Sequence, residues 1–511
     1  MKVSGTAALD ALEAVFRQSL TFRNWLHTRR WCGDTVGPRT ELAVKDRALL
    51  VETPAEVVAF FLAVAREGGV SHPMHVPLSI TMEKPEPEAF ELSAGGERFY
   101  VTEAERGDAY ARFLVDGFRD RLSVRTRAGD SLRFHGEPVG AFRSVDPFAD
   151  DRSSVLVRIA TTTGSLAFKS YKRLEVGNRE ADLLQRLHKK GFPHVARYRG
   201  ELALGVGADR LVLGVATDHV DATDAFSWLT AGWRDERARD ADGDFERTSL
   251  EFSARLGEAT ARLHDALADH HAGPFRPEVF TEEDAEATTR AALGNLSDSL
   301  RRLAVLANGP DARAGGLAAR ARELVFSGRE HIERCLAGIL AGIGTAKCVT
   351  HADLHLGQVL RTTEGRLLFI DFEGEPERLP EKRHEKLPPL RDIATLGRSF
   401  SYVVHYAWRE FIGGDASAAF RLMARDALTS EESEVAERLL AWERAASERC
   451  SLAYLKASAL YPDMDAEHAV RAIRGWMMEK ALYELRYELV HRPQNVFIPL
   501  DGVVSLAASH S

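Results

Sequence analysis

The stretch "CVTHADLHLGQVLRTTEGRLLFIDFEGEPERL", Cys348–Leu379, decides how this chain is read. It sets His351, Asp353 and Gln358 on a loop, then places Asp371 eighteen residues after Asp353, at the end of the apolar run "LLFI". The intervening "TTEG" has turn composition, so the segment reads as a hairpin that lays the Asp353 loop beside Asp371. An HxD on a loop is commonly a cap or turn motif, and a carboxylate closing a strand is commonly a turn residue. Joined in this order, the groups suit a nucleotide triphosphate and magnesium. A carboxylate near an acceptor hydroxyl takes its proton, and amide and carboxylate oxygens hold a hard cation against phosphates.

"HADLHLGQ" follows the kinase catalytic-loop pattern H-x-D-x-x-x-x-N, with Gln358 in the Asn position. Gln358 keeps the amide oxygen but is one methylene longer. Asp371 stands where the aspartate of the kinase DFG motif stands.

The rest of the chain is consistent with a soluble enzyme. It has 511 residues, 45% hydrophobic and 28% charged, enough apolar content for a sizeable core. The net charge of −9 argues against broad nucleic-acid binding, which needs a basic surface. Cys32, Cys335, Cys348 and Cys450 form no CxxC pair and read as reduced cytosolic thiols. "MKVSGTAALDALEAVF" lacks the unbroken apolar core of a signal peptide, and no apolar run approaches the ~20 residues of a membrane span. The expectation is a cytoplasmic protein with a small-molecule partner and no nucleic-acid or membrane partner; oligomeric state is not legible.

The pattern along the chain predicts an α+β, bilobal, protein-kinase-like fold, with a small β-rich N-lobe, a mainly helical C-lobe and an N-terminal α+β cap region. The divisions fall at 1–88 for the cap-like region, 89–219 for an intermediate region and nucleotide-covering N-lobe, and 220–511 for the C-lobe. In the first part "ELAVKDRALLVE", "MHVPLSITM", "ERFYVTEA", "YARFLVDGF" and "SLRFHGEP" read as strands, and "PAEVVAFFLAVAREGG" as a helix. "SSVLVRIATTTGSLAFKSYKRL" reads as a hairpin, followed by the helix "NREADLLQRLHKKG". Beyond Asp221 most segments repeat apolar residues at three- and four-residue spacing, as helices do.

Lys169 in "LAFKSYKRL" is the candidate phosphate lysine, with Lys172 and Arg173 as neighbours. Its carboxylate partner is Glu180 or Asp182 on the next helix. The covering turn "ATTTG" lacks a glycine-rich motif, so backbone N–H groups with Ser153, Ser154 or the threonines are candidates for phosphate contact. Adenine would sit near Thr217–Val220.

The run from His351 through "DFEGEPERLPEKRHEKLPPLRDIATLGRSFSY" resembles the maltokinase family, itself similar in fold to aminoglycoside phosphotransferases. The resemblance continues through "LGEATARLH", "GFPHVA" and "EKALYELRYELVHRPQNVFIPLDGV" and covers most of 150–511. "RRWCGD" departs from the family's usual cap sequence. The resemblance implies an ATP-dependent carbohydrate phosphotransferase using ATP and Mg2+. Its substrate would be maltose or, in relatives with the same DFEGEP run, glucosamine at its 6-hydroxyl. Asp353 would be the catalytic base, with Gln358 and Asp371 the magnesium ligands. Ala352 replaces the usual Gly, a minor change unless that backbone needs positive φ.

Sugars are held by carboxylates and amides with an aromatic face alongside. "GWMMEKALYELRYE" places Trp476, Glu479, Lys480, Tyr483, Glu484 and Tyr487 at helical intervals, and these form the candidate acceptor site with His351, Glu373 and Glu375. Arg391–Asp392 reads as a structural pair under the catalytic loop. The rival readings are an antibiotic phosphotransferase and a catalytically idle kinase fold that binds a partner protein.

Overall fold

The computed structural model describes the chain except residues 1–4, 33–34, 38, 95, 151–153, 208–209, 239–242, 270, 272, 310–311, 376–377, 379–381, 384, 415–416, 425–427 and 509–511. Two compact units emerge: residues 1–189 with 196–220, and residues 190–195 with 221–511. The architecture is α+β and protein-kinase-like.

The first unit opens with α1 (Gly5–Gln18) and α2 (Leu20–His27) against a six-stranded antiparallel sheet. Its strands are β1 (Glu41–Glu52), β2 (Glu56–Glu67), β3 (Val70–His75), β4 (Leu78–Thr81), β5 (Phe90–Ala94) and β6 (Glu97–Glu103). They run in the order β1-β2-β4-β6-β5, with β3 also on β2.

Two sequence expectations fail here. "PAEVVAFFLAVAREGG" is strand β2, not a helix: nine consecutive residues from Val57 to Ala65 are buried, so both faces of the strand are covered. A run buried on both faces loses its alternation, and its apolar spacing then mimics a helix. Gly68 and Gly69, at φ of 58° and 84°, make the two-residue turn into β3. Conversely "YARFLVDGF" lies in helix α3 (Asp108–Asp120). Tyr110, Phe113, Leu114, Gly117 and Phe118 form its buried stripe, and Gly117 lets the Phe134 ring approach where a Cβ would stand only 2.3 Å away.

A seven-stranded sheet follows, ordered β7-β8-β12-β13-β11-β10-β9. Its strands are β7 (Ser123–Arg125), β8 (Ser131–Gly136), β9 (Phe142–Asp150), β10 (Ser154–Thr161), β11 (Gly164–Tyr171), β12 (Tyr198–Leu204) and β13 (Leu211–Asp218). Helix α4 (Glu180–Lys189) joins β11 to β12. The β10–β11 hairpin pairs Thr161 with Gly164 at its turn and Ser154 with Tyr171 at its open end.

The second unit holds β14 (Ala222–Asp224), α5 (Ala225–Ala238), α6 (Asp244–Leu267), β15 (Glu278–Val279), α7 (Glu282–Ala307), α8 (Ala312–Ser327), α9 (Arg329–Leu336) and β16 (Ala346–Lys347). Then come β17 (Val359–Thr362), β18 (Leu367–Phe369), α10 (Leu390–Phe411), α11 (Ser417–Ala424), α12 (Ser430–Ala457), α13 (Ala466–His491) and α14 (Phe497–Ala508). Helices α6 and α12 pack closely because Gly257 leaves room for the Cys450 carbonyl, which a Cβ would meet at 2.1 Å. Hairpin β17–β18 turns through the "TTEG" segment as the composition requires, and β14 pairs with β17. Among the described residues no helix is long and apolar enough to cross a membrane.

Candidate active site

The loop before β17 alternates in burial. Ala352, Leu354 and Leu356 are buried, with Leu354 and Leu356 fully so, while Asp353 and His355 keep access to solvent. An extended backbone sends successive side chains to opposite sides, so the leucines anchor the loop and present Asp353 and His355 on the other face.

Helix α10 pins this loop from below. Pro388–Pro389 precede its first turn, where Pro can sit without costing a helical hydrogen bond. That turn carries Arg391 and Asp392. Asp392 accepts the backbone N–H of His351 at 3.0 Å and of Ala352 at 3.1 Å, and His264 Nε2 lies 3.1 Å from the same carboxylate. Burial alone would push the Asp392 carboxyl up, but His264, His351 and Arg391 together hold it below the ordinary range. Arg391 Nη1 donates to the Ala352 carbonyl at 3.2 Å. The Arg391–Asp392 pair therefore does support the loop. Satisfying both N–H groups places Ala352 at φ 70°, a left-handed conformation that strains a residue with a Cβ. The Gly-to-Ala departure is not minor.

His351 is 1% exposed, and its Nε2–H donates to the Ile370 carbonyl at 2.8 Å while its ring lies against Phe372. It is a strut between the loop and the strand end, which corrects its placement among the acceptor-facing candidates. Gln358 and Asp371 are brought together: Gln358 Nε2 donates to Asp371 Oδ2 at 2.7 Å. Asp371 sits at φ 64°, which aspartate tolerates better than most residues. An oxygen of Glu373 lies within 4.8 Å of one on Asp371. This donor set fits magnesium: it is all oxygen once the Gln358 amide turns over. Two ligands of one magnesium are at most about 4.2 Å apart, so the carboxylates need little movement. The ion would supply charge for the phosphates; Gln358, Asp371 and Glu373 would hold it.

Beside Asp353 lies a buried ion cluster. Lys480 Nζ stands 3.2 Å from Asp353 Oδ1 and 2.6 Å from Glu375 Oε1. Arg391 binds Glu375 with both oxygens at 2.9 Å and reaches Glu479 at 3.2 Å; Arg378 lies 3.2 Å from Glu375. Three carboxylates thus meet three cations, as burial demands. Burial pushes Glu375 up, yet Arg391, Lys480 and Arg378 overcome it and hold the carboxyl far below its usual value. Lys480 is raised well above a free lysine by Glu375 and Asp353 against its burial, so it is a permanent cation. Glu375, 1% exposed, and Glu479, 9% exposed, were read as sugar ligands; the structure gives both to Arg391. Trp476, 2% exposed, packs towards the Phe280 ring in the core. Tyr483 and Tyr487 remain half-exposed and stacked 6.2 Å apart, with Lys480 Nζ 4.7 Å from the Tyr483 ring. Glu484 is held by Arg398 at 3.1 Å.

In the first unit, Lys169 Nζ lies 2.9 Å from Glu180, which also accepts the Tyr171 hydroxyl at 2.5 Å. Asp182 instead pairs with Arg210 at 2.7 Å, so Glu180 is the partner. The turn threonines are already engaged: Thr163 and Thr162 accept the N–H groups of Gly140 and Ala141. Ser154 is buried at the open end of the hairpin, away from the covering turn. Ser153 lies outside the described residues. At the proposed adenine segment, Asp218 is paired with Arg199 at 2.6 Å.

Residues 144–374 match the model of the phosphotransferase enzyme family, a span that holds Lys169, Glu180, Asp353, Gln358 and Asp371. Over that span the chain is similar to the phosphotransferase enzyme family. The chain is 29% identical over 314 residues to a glucosamine kinase of Streptacidiphilus jiangxiensis, covering 61% of this chain and 65% of the relative. It is 31% identical over 197 residues to a glucosamine kinase of Mycolicibacterium smegmatis, covering 38% of this chain and 43% of that one. The chain thus aligns with less than two thirds of either curated relative. A solved glucosamine kinase shares the fold at a TM-score of 0.56 and 20% identity, over 94% of this chain and 96% of its own. A second, in complex with glucosamine, ADP and inorganic phosphate, gives 0.54 at 20% identity over 94% and 97%.

The matched span ends at Gly374, one residue before Glu375, so Lys480, which bonds Asp353, and Arg391 and Arg378, which hold Glu375, all lie beyond it. His355 escaped the sequence reading although it belongs to the same loop face as Asp353. The signal was present in the alternation A-D-L-H-L, which puts positions 353 and 355 on one side.

Proposed function

We propose that this chain is an ATP-dependent sugar kinase that transfers the γ-phosphoryl group of ATP to an amino sugar of the glucosamine type. Asp353 accepts the proton of the acceptor hydroxyl. Gln358, Asp371 and Glu373 hold magnesium, and Lys169, aligned by Glu180, serves the phosphates. The observation that carries this reading is the setting of Asp353: a solvent-reaching carboxylate on a loop pinned by Asp392 and Arg391, with one oxygen 3.2 Å from a buried ammonium. Phosphoryl transfer asks for such positioning and charge compensation rather than covalent chemistry. The glucosamine kinases among its relatives favour the amino sugar.

A disaccharide such as maltose is the second reading, favoured by the stacked Tyr483–Tyr487 pair, which offers a face for another sugar ring. ADP release with ATP and magnesium over glucosamine, maltose, glucose and aminoglycosides separates the two. Turnover of glucosamine supports the first reading and turnover of maltose alone the second. With neither turnover nor ATP binding, the chain is a non-catalytic kinase fold. Asp353→Asn is expected to lose at least ~100-fold in kcat while still binding nucleotide; an unchanged rate removes Asp353 as the base.

A further inference from the structure

His355 touches both halves of the chemistry proposed above. Its Nδ1 accepts the Gly357 N–H at 3.1 Å and so caps the short turn Leu356–Gln358, which carries Gln358. Its carbonyl accepts the Gln358 N–H at 2.8 Å. An acceptor at Nδ1 fixes the neutral tautomer, with the proton on Nε2. That Nε2 faces Asp353 Oδ2 at 4.0 Å, while the other carboxylate oxygen, Oδ1, is the one bonded to Lys480. The backbone closes the triangle, since the His355 N–H donates to the Asp353 carbonyl at 3.1 Å. Gln358 in turn reaches Asp371 at 2.7 Å. The His355 side chain is 42% exposed, so packing does not explain its presence on this face.

We propose that His355 is a positioning residue that sets Asp353 and Gln358 in register through the two nitrogens of one ring. Nδ1 holds the turn that presents Gln358 to the metal. Nε2–H donates to Asp353 Oδ2 when the acceptor draws the loop in, because hydrogen bonds at such sites tighten from longer distances in the unliganded protein. Asp353 is then steadied at both oxygens, by Lys480 and by His355, and keeps its remaining lone pairs for the acceptor hydroxyl. This rests on the kinase reading.

Two substitutions separate the nitrogens. His355→Asn keeps an acceptor near the Nδ1 position and loses the donor at Nε2. His355→Gln places an amide donor near Nε2 and loses the cap. With an acceptor sugar that the wild-type protein turns over, His355→Asn is expected to lower kcat about tenfold at unchanged magnesium requirement. His355→Gln is expected to raise the magnesium concentration for half-maximal rate, and weaken Mg-ADP binding by calorimetry, about tenfold with a smaller loss of kcat. Melting temperatures of both variants are measured alongside. Wild-type kinetics in His355→Asn overturns the proposal, as do identical defects in the two variants that follow their melting temperatures. If the wild-type protein turns over no acceptor, the kinase reading falls; the calorimetric arm still tests the Nδ1 half.

Discussion

Lys480 stands between Asp353 and Glu375 and is closer to Glu375, at 2.6 Å against 3.2 Å. The ammonium is therefore anchored by a buried carboxylate and lends Asp353 its charge without being consumed by it. Lys480→Met is expected to cut kcat/KM about tenfold or more, because Asp353 loses the donor that orients it. Its cost to stability is expected to be smaller than that of Arg391→Met, since Glu375 keeps Arg391 and Arg378. Arg391→Met leaves Glu375 and Glu479 buried together without their shared partner and is expected to cost about 3–5 kcal/mol. Urea unfolding of the two variants checks the order; equal losses would show that Lys480 is structural.

Ala352 occupies a left-handed conformation because its N–H and that of His351 both turn towards Asp392. Ala352→Gly is expected to stabilise the protein by about 1 kcal/mol, the lower end of the cost of holding a Cβ at positive φ. The midpoint of chemical unfolding measures it. A loss of stability would mean that the loop relaxes out of this conformation in solution.

How far the site was legible depended on whether burial mattered. The order His351, Asp353, Gln358, Asp371 carries its own spacing, and the hairpin brings Gln358 onto Asp371 as that spacing requires. Glu375, Glu479 and Lys480 read as sugar ligands because one-dimensional spacing cannot reveal that Glu479 meets Arg391 across 88 residues and Lys480 meets Glu375 across 105. Glu180 and Asp182 were indistinguishable for a related reason: two residues apart on a helix, they face different neighbours, and the phase of α4 against β11 is not written in either residue. Strand β2 and helix α3 are exchanged in the sequence reading because a strand buried on both faces lacks period two, and the nine residues quoted from α3 are too few to show a helical period.

Lys169 and Glu180 provide a test confined to the first unit. Lys169→Met is expected to weaken ATP binding about tenfold and leave the fold intact, since Glu180 retains the Tyr171 hydroxyl. Glu180→Gln keeps an acceptor for both partners and is expected to do less damage. Nucleotide affinity by calorimetry distinguishes them; equal affinity of Lys169→Met and the parent protein would move the phosphate contact to another residue.

The depressed carboxyl of Glu375 makes part of the protein's stability dependent on acid pH. Its folded value lies below the unfolded value near 4.5, so the carboxylate contributes stability that is complete above about pH 4.5 and is lost as pH falls towards the folded value. Glu375→Gln removes that charge at every pH and leaves Arg391, Lys480 and Arg378 without it. The stability gap between parent and variant is therefore expected to stay constant from pH 8 down to about 5 and to narrow below 4.5. Unfolding free energies measured across that range decide the matter. A gap that narrows between pH 8 and 6 would show that the titrating partner is not this carboxylate.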